Sequence, residues 1–351
     1  MGAPAPSATS AMDIVVELTG VCKTFRQRQR SEKLGDTLRN LIRPRFREVR
    51  ALDHVDLTIR RGEIVAYAGP NGAGKSTTVK LLSSLLAPDS GTVRALGMDP
   101  VRDRARYVGR IGVLFGQRTE LWWDHPVSAS FEWKRVVWDI PRDRYDRALP
   151  RIREMLGLDA FFNSMARELS LGQRMRADLG MALIHEPEIL FLDEPTIGLD
   201  VLAKRAMLQF IRELHDEQGL TVMLTSHDMD ELEQLAGRIV LLANGRIAFD
   251  GDWTTLRREY ADRRHLTLET PNARAPEFAN ATLVRTDGGR HEYVFDAGRV
   301  DIPALLAEAA RQTEILDVET HRAPIDEVIA GIYEKLQYSS PGTSEFSPAT
   351  A

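Results

Sequence analysis

The stretch Ile64-Val65-Ala66-Tyr67-Ala68 runs without a break into Gly69-Pro70-Asn71-Gly72-Ala73-Gly74-Lys75-Ser76-Thr77. Five consecutive apolar residues read as a strand buried on both faces. The nine that follow form a complete phosphate-binding loop that opens a helix. The chemistry demands this composition. Glycines let backbone N–H groups wrap phosphate oxygens, the helix N-terminus adds positive potential, and Lys75 reaches the outer phosphates. Ser76 is then the natural Mg²⁺ ligand. Glycine-rich turns also occur without ligands, but the four specified positions match by chance in a chain of this length on the order of once in a hundred.

A second run, Ile189-Leu190-Phe191-Leu192, ends on Asp193-Glu194. A buried strand here delivers two adjacent carboxylates at its carboxyl end, where open α/β sheets bind ligands. Side chains alternate along a strand, so the two acids leave it in different directions. Asp193 is assigned to Mg²⁺, through water, and Glu194 to polarising the attacking water. By itself this pair reads equally well as an exposed acidic turn; beside the phosphate loop it reads as catalytic.

Outward from these motifs, short apolar runs alternate with helical stretches from 13 to about 261, the pattern of a largely parallel sheet covered by helices. Ile64–Ala68, Ile111–Phe115, Ile189–Leu192 and Val222–Thr225 are the expected central strands. Ile14–Leu18 and Val55–Ile59 have no crossover helix between them and predict antiparallel strands at the edge. Arg238–Leu242, Asn244-Gly245 and Arg246–Phe249 predict a tight hairpin. A small α+β domain is expected over 262–336: an alternating HLTLET, a hairpin turning at Asp287-Gly288-Gly289, and a helix from Pro303 to Gln312. Residues 1–12 and 337–351 are too rich in Ser, Pro, Gly, Thr and Ala to pack and are expected to be disordered.

Among the 351 residues, 43% are hydrophobic, enough to fill two cores, and no apolar run approaches the roughly 20 residues that span a bilayer. The amino end carries neither a basic start nor an apolar run, so it does not read as a secretory signal, and the chain is expected in the cytosol. Cys22 is the one cysteine and carries no assigned role. The net charge of −5 gives no reason to bind nucleic acid. Charge is uneven, however. Residues 26–50 hold nine basic groups (Arg26, Arg28, Arg30, Lys33, Arg39, Arg43, Arg45, Arg47, Arg50) against three acidic, so this segment is +6 and the rest −11. It reads as a basic insert that lies against an anionic membrane leaflet or a membrane-bound partner protein or, at least as readily, as an ordinary solvated loop.

The order of motifs resembles the nucleotide-binding domain of ABC transporters. That resemblance implies an α/β, P-loop NTPase (RecA-like) core with antiparallel β and helical subdomains, the latter at about 118–175. It also implies further roles. Gln117 is similar to the glutamine that senses Mg²⁺ and water. Leu169-Ser170-Leu171-Gly172-Gln173 resembles the signature, in which Ser170, Gly172 and Gln173 meet the γ-phosphate held by the opposite subunit. Gly198-Leu199-Asp200 resembles the loop linking the two sites, and His227 the switch histidine that joins Glu194 and Lys75 in catalysis. Phe25 is similar to the aromatic that stacks on adenine, although Gly69 follows as many as 44 residues later, a gap lengthened by the basic segment. Leu171 departs from the glycine common at its position; Ser170 and Gly172 are kept, so an active signature is expected.

The run Gly116-Gln117-Arg118-Thr119-Glu120-Leu121-Trp122-Trp123-Asp124, with LSLGQRMR and FLDEPTIGLD, resembles a bacterial subgroup whose ATPases serve separately encoded ABC-2-type permeases, usually exporters. This implies a second nucleotide-binding subunit, usually a second copy, and a permease that holds the chain at the cytoplasmic face of the membrane. Trp122 and Trp123 read either as permease anchors or as filling of the helical subdomain. Two rival readings are weighed. A non-transport ABC ATPase of translation would carry two nucleotide domains, and one of DNA maintenance a long coiled coil; one phosphate loop is present, and only about fifty residues separate Gln117 from Ser170. An ATP-dependent regulator with little turnover fits less well with Glu194.

Overall fold

The computed structural model describes residues 14–28, 46–116, 118–226, 228–260, 263–296, 300–322 and 325–338. It divides into two compact units, Met1–Asp250 and Gly251–Ala351. The division precedes the expected 261/262, because the helix Trp253–Tyr260 packs against the helix Ile325–Tyr338 of the second unit.

In the first unit, two long strands, β1 (Ile14–Arg28) and β2 (Phe46–Arg60), pair antiparallel, and β4 (Ser90–Ala95) adds to the other side of β1. The strands extend beyond their expected ends. Arg26 stands opposite Glu48 and Arg28 opposite Phe46, so the flanks of the supposed basic insert are a β-ladder rather than a loop. Alternating side chains and an exposed Arg26–Glu48 ion pair at 3.2 Å accompany that pairing. Arg30, Lys33, Arg39, Arg43 and Arg45 lie outside the described residues.

The principal sheet has the order β5-β6-β7-β3-β8-β9, with β3 (Ile64–Ala68), β5 (Ile111–Phe115), β6 (Ile189–Asp193), β7 (Thr221–Thr225), β8 (Arg238–Ala243) and β9 (Arg246–Asp252). All four expected central strands are present, and the pairings from β5 through β8 are parallel. Every residue of β3 is buried, as its unbroken apolar run requires. The β8–β9 turn at Asn244-Gly245 has positive φ at both residues, 50° and 77°, the geometry of a two-residue hairpin. One core joins both sheets: Val16, Leu18, Val55 and Ile59 pack with Tyr67, Phe191, Met223 and Val240, and with Val79 and Leu82 of α1 (Lys75–Leu82).

Between β5 and β6 the chain forms α3 (Val127–Val137), α4 (Arg142–Met155) and α5 (Leu171–Leu183); a short α2 (Arg104–Val108) precedes β5, and α6 (Val201–Gln218) and α7 (Met229–Leu235) flank β7. The second unit contains α8 (Trp253–Tyr260) and the sheet β11-β12-β10-β13, formed by Ala281–Asp287, Arg290–Asp296, Arg263–Glu269 and Asp317–Arg322 in that order. Leu266, Leu268, Tyr293 and Phe295 of its inner face pack on Leu305 and Ala309 of α9 (Ile302–Gln312). The last helix, α10 (Ile325–Tyr338), runs past the expected start of the tail at Gln337, its apolar Ile325, Val328, Ile329 and Ile332 all buried. The segments 1–12 and 339–351 lie outside the described residues.

Candidate active site

The parallel order fixes where the site lies: β3, β6 and β7 are adjacent and end on one edge, and their following loops meet there. The loop Gly69–Thr77 leaves β3 and enters α1 with φ +114° at Gly74, a backbone state closed to most L-residues. A Cβ on Gly74 would lie 2.4 Å from the Ala51 oxygen, so the same glycine lets β2 close against the loop. No side chain caps α1 and no acidic residue sits in its first turn. Its leading N–H groups and positive dipole end therefore suit an anion. Pro70 accepts a hydrogen bond from the Ala73 N–H at 3.1 Å, and Gly74 from that of Thr78 at 3.0 Å. Asn71 and Gly72 form the exposed mouth, and a Cβ on Gly72 would meet nothing within 4 Å.

Lys75 is 6% exposed, and its Nζ donates to the Gly69 oxygen at 2.7 Å and the Pro70 oxygen at 3.3 Å, folding across the loop. Burial lowers its pKa; the carboxylates of Glu194 and Asp193 act in the opposite sense and favour the ammonium. Ser76 Oγ donates to Asp193 Oδ1 at 3.1 Å, and Thr225 Oγ1 donates to the same oxygen at 2.8 Å. Thr225 stands directly across the β6–β7 ladder from Asp193. Its Oγ1 also accepts from the Glu194 N–H at 3.1 Å, so one hydroxyl orients both acids. Glu194 has φ +56°, a turn that ends the strand and separates its side chain from that of Asp193.

On the other flank, Gly116 donates its N–H to the Asp193 carbonyl at 2.8 Å, and a Cβ there would stand 2.1 Å from the Glu194 oxygen. Only glycine permits this approach. Gln117, the next residue, and His227 lie outside the described residues. A cleft of about 280 Å³ opens beside the acids, lined by Ser76, Lys80, Leu85, Phe115, Gly116, Arg118, Asp193 and Glu194. Lys80, Arg118 and Thr225 carry no role on sequence grounds; a hydroxyl at the end of a strand next to an acidic strand is the signal that points to Thr225.

Ser170 caps α5. Its Oγ accepts from the Gln173 N–H at 3.2 Å, and Gln173 Oε1 accepts from the Ser170 N–H at 2.9 Å, a reciprocal capping box. Gln173 is thus engaged in shaping the helix start, while the Ser170 hydroxyl keeps its own proton to donate. Gly172 lies in the first turn, and Leu171 beside it is 41% exposed. Leu171 leans on Gly198, where a Cβ would come within 2.8 Å of Leu171 Cδ2. Asp200 caps α6 by accepting from the Ala203 N–H at 2.8 Å. Phe25 is half-buried on β1 opposite Val49, with Lys23 Nζ 5.8 Å from its ring centroid. It thus stands on the hairpin whose Ala51 abuts the phosphate loop.

The signature helix is tied to the segment after Gln117. Asp178 of α5, buried, accepts from Thr119 Oγ1 and from the Glu120 N–H, both at 2.9 Å. Burial pushes its carboxyl up to about 6 against those hydrogen bonds. Glu120 in turn accepts from the fully buried Lys134 at 2.6 Å. Trp122 and Trp123 do not fill the core: Trp122 stacks obliquely on Trp133 at 5.1 Å, and all three indoles are exposed. Arg174 of the signature helix lies over Trp123 at 4.6 Å.

Fold and site define a P-loop ATPase cassette. Residues 52–197 match the family model described as ABC transporter. The chain is 32% identical over 203 residues to the ABC transporter ATP-binding protein NatA of Bacillus subtilis (strain 168), covering 58% of this chain and 82% of that one. To the daunorubicin resistance ATP-binding protein DrrA3 of Streptomyces coeruleorubidus it is 37% identical over 292 residues, covering 81% and 91%. It spans 37% of the probable multidrug ABC transporter ATP-binding protein YbhF of Escherichia coli (strain K12), with 36% identity. A solved ATP-binding cassette, described as dimeric and in a post-hydrolysis state with ADP and Pi, superposes with TM-score 0.55 at 25% identity, over 68% of this chain and 98% of that one. The chain belongs to the ATP-binding proteins of ABC transporters, and it is an ATPase subunit of such a transporter.

Proposed function

We propose that two copies of this chain close on two Mg-ATP molecules, each held between the phosphate loop of one copy and the Ser170–Gln173 signature of the other, and that closure drives a separately encoded ABC-2-type permease in the export direction. The observation that carries this reading is the meeting of Lys75, Ser76, Asp193 and Glu194 at the ends of β3 and β6, with Thr225 aligning both acids. The hard oxygens of Ser76 and Asp193, 3.1 Å apart, suit Mg²⁺, which supplies charge neutralisation on the outer phosphates when bound. Glu194 polarises a water for in-line attack on the γ-phosphorus; Lys75 and the α1 N–H groups stabilise the charge on the transferring group. By the family resemblance, Gln117 and His227 take part in this chemistry and Phe25 supports the adenine. The cassette works as the motor, and the carboxyl-terminal domain as an accessory to it.

The exposed Trp122, Trp123 and Trp133 provide the apolar anchors for the permease, which keeps the chain at the cytoplasmic face of the membrane. Among the described residues, no helix is long and apolar enough to cross a membrane. The test is co-expression with the permease gene beside its own. Wild type should co-purify with the permease and change its ATPase rate on binding. Trp123→Ala should retain ATPase activity and lose co-purification; retention of the permease by this variant removes the docking assignment.

A further inference from the structure

The second unit carries a cluster of metal-ligating side chains on the sheet face opposite its core. His265 on β10 stands directly across the ladder from His321 on β13, and Glu292 on β12 stands across from Thr267, two residues along. Strand alternation therefore sets His265, His321 and Glu292 on one face, while Leu266, Leu268, Tyr293 and Phe295 point into the core. His265 is 5% exposed. Its Nδ1 lies 3.1 Å from Glu292 Oε1, and its Nε2 lies 3.0 Å from Glu327 Oε2 of α10. The His321 ring stacks on it at 5.0 Å, 14° from parallel. One ligand atom each from His265, Glu292 and His321 fall within 4.8 Å of one another.

A neutral imidazole donates through only one nitrogen, so a histidine with a carboxylate at each end must either be protonated or have a cation at one of them. Among the described residues the carboxylates of Glu292 and Glu327 face His265 alone, one at each ring nitrogen. A single divalent ion would sit among ligand atoms of His265, Glu292 and His321 that lie within 4.8 Å of one another, leaving the Nε2–H to Glu327. We propose that His265 Nδ1, Glu292 and His321 form a binding site for a divalent transition-metal ion of the zinc class, with Glu327 accepting the remaining Nε2–H.

Nitrogen and carboxylate ligands about 2 Å from zinc stand roughly 3.3 Å apart in a tetrahedron, close to the His265–Glu292 separation. His321, exposed at the sheet surface and stacked on His265, has to turn its ring to direct a nitrogen at the ion. A carboxylate on the distal N–H of a liganding histidine fixes its tautomer and raises its basicity, which is the position of Glu327. Uptake ties β10, β12 and β13 to one another and, through Glu327, to α10. The other cluster of such residues, Cys22, Asp53 and His54, lacks this logic: Arg50 at 3.1 Å and Arg246 at 2.6 Å already neutralise Asp53.

The full chain, stripped with a chelator and free of nucleotide and Mg²⁺, is titrated with zinc(II) against a chromophoric competitor, and with cobalt(II) by visible absorption. One equivalent of zinc should bind, and cobalt should give the intense bands of four-coordination. His321→Ala and Glu292→Gln should each lower affinity at least ~10-fold, and Glu327→Gln about 10–100-fold. His54→Ala should leave uptake unchanged. His321 is exposed, so its variant should fold and keep MgATP binding, which is measured alongside. Absence of stoichiometric uptake, uptake insensitive to His321→Ala, or uptake lost in His54→Ala overturns the site.

Discussion

Glu194 is held at φ +56°, which costs a non-glycine residue on the order of 1–3 kcal/mol and is sustained by the bonds from its N–H to Thr225. If that turn aims the general base, Glu194→Gln should cut steady-state ATP hydrolysis by roughly 10²–10⁴-fold with nucleotide affinity kept, as read by phosphate release and equilibrium binding. A variant with near wild-type turnover would place the base elsewhere. Thr225→Val removes the hydroxyl shared by both acids. It should lower kcat more than KM and cost on the order of 1 kcal/mol of stability, because Asp193 loses a donor while the Glu194 N–H keeps the Thr225 carbonyl; an unchanged kcat would make Thr225 a packing residue only. The phosphate loop and the two acids are legible from sequence because each motif is contiguous and its chemistry restricts every position. The role of Thr225 is not, since it depends on the β6–β7 register that brings it opposite Asp193.

Among the elements, α5 does two jobs. Its N-terminus is the capped signature, and one of its inward side chains, Asp178, grips the segment following Gln117. Removing the cap with Ser170→Ala should cost ~1 kcal/mol in denaturant unfolding and reduce turnover of the dimer. Asp178 supplies a pH signature. Its folded-state pKa, about 6, exceeds its ordinary 3.8, so the folded chain binds this proton more tightly than the unfolded chain. The resulting stabilisation is present at low pH and is lost as pH rises from about 4 to about 6. Wild type should therefore lose stability relative to Asp178→Asn across that window, by on the order of 3 kcal/mol at most, and run parallel to it above. A pH-independent difference would contradict the buried, proton-binding carboxylate. The strands β3, β5, β6 and β7 are readable from unbroken apolar runs. The extension of β1 and β2 is hidden because Arg26–Arg28 and Phe46–Arg50 look like one basic segment until the cross-strand pairing of Arg26 with Glu48 is seen. The tie from Asp178 to Thr119 spans 59 residues and has no local pattern.

At the scale of the whole molecule, the proposed sandwich gives a single cassette half of each composite site: the phosphate loop at the end of β3 and the signature-like segment at the start of α5. The exposed Leu171, Ile197, Val201 and Leu202 around the signature and the Gly198 loop are what a closing second copy would cover. That a second unit follows is visible in the change of pattern from about residue 262, later than the division at Asp250/Gly251, but the metal-ligating face of that unit is not. Its four residues come from three strands and a helix, and become neighbours only through sheet order and helix packing. The central claim is that ATP joins two copies through these half-sites. The most direct measurement is the mass in solution, by light scattering, of purified Glu194→Gln with and without MgATP, repeated with Ser170→Ala added. The account predicts a monomer without nucleotide, a dimer with MgATP, and a dimer weakened by the second substitution. A chain that binds MgATP stoichiometrically yet stays monomeric at every concentration would contradict it.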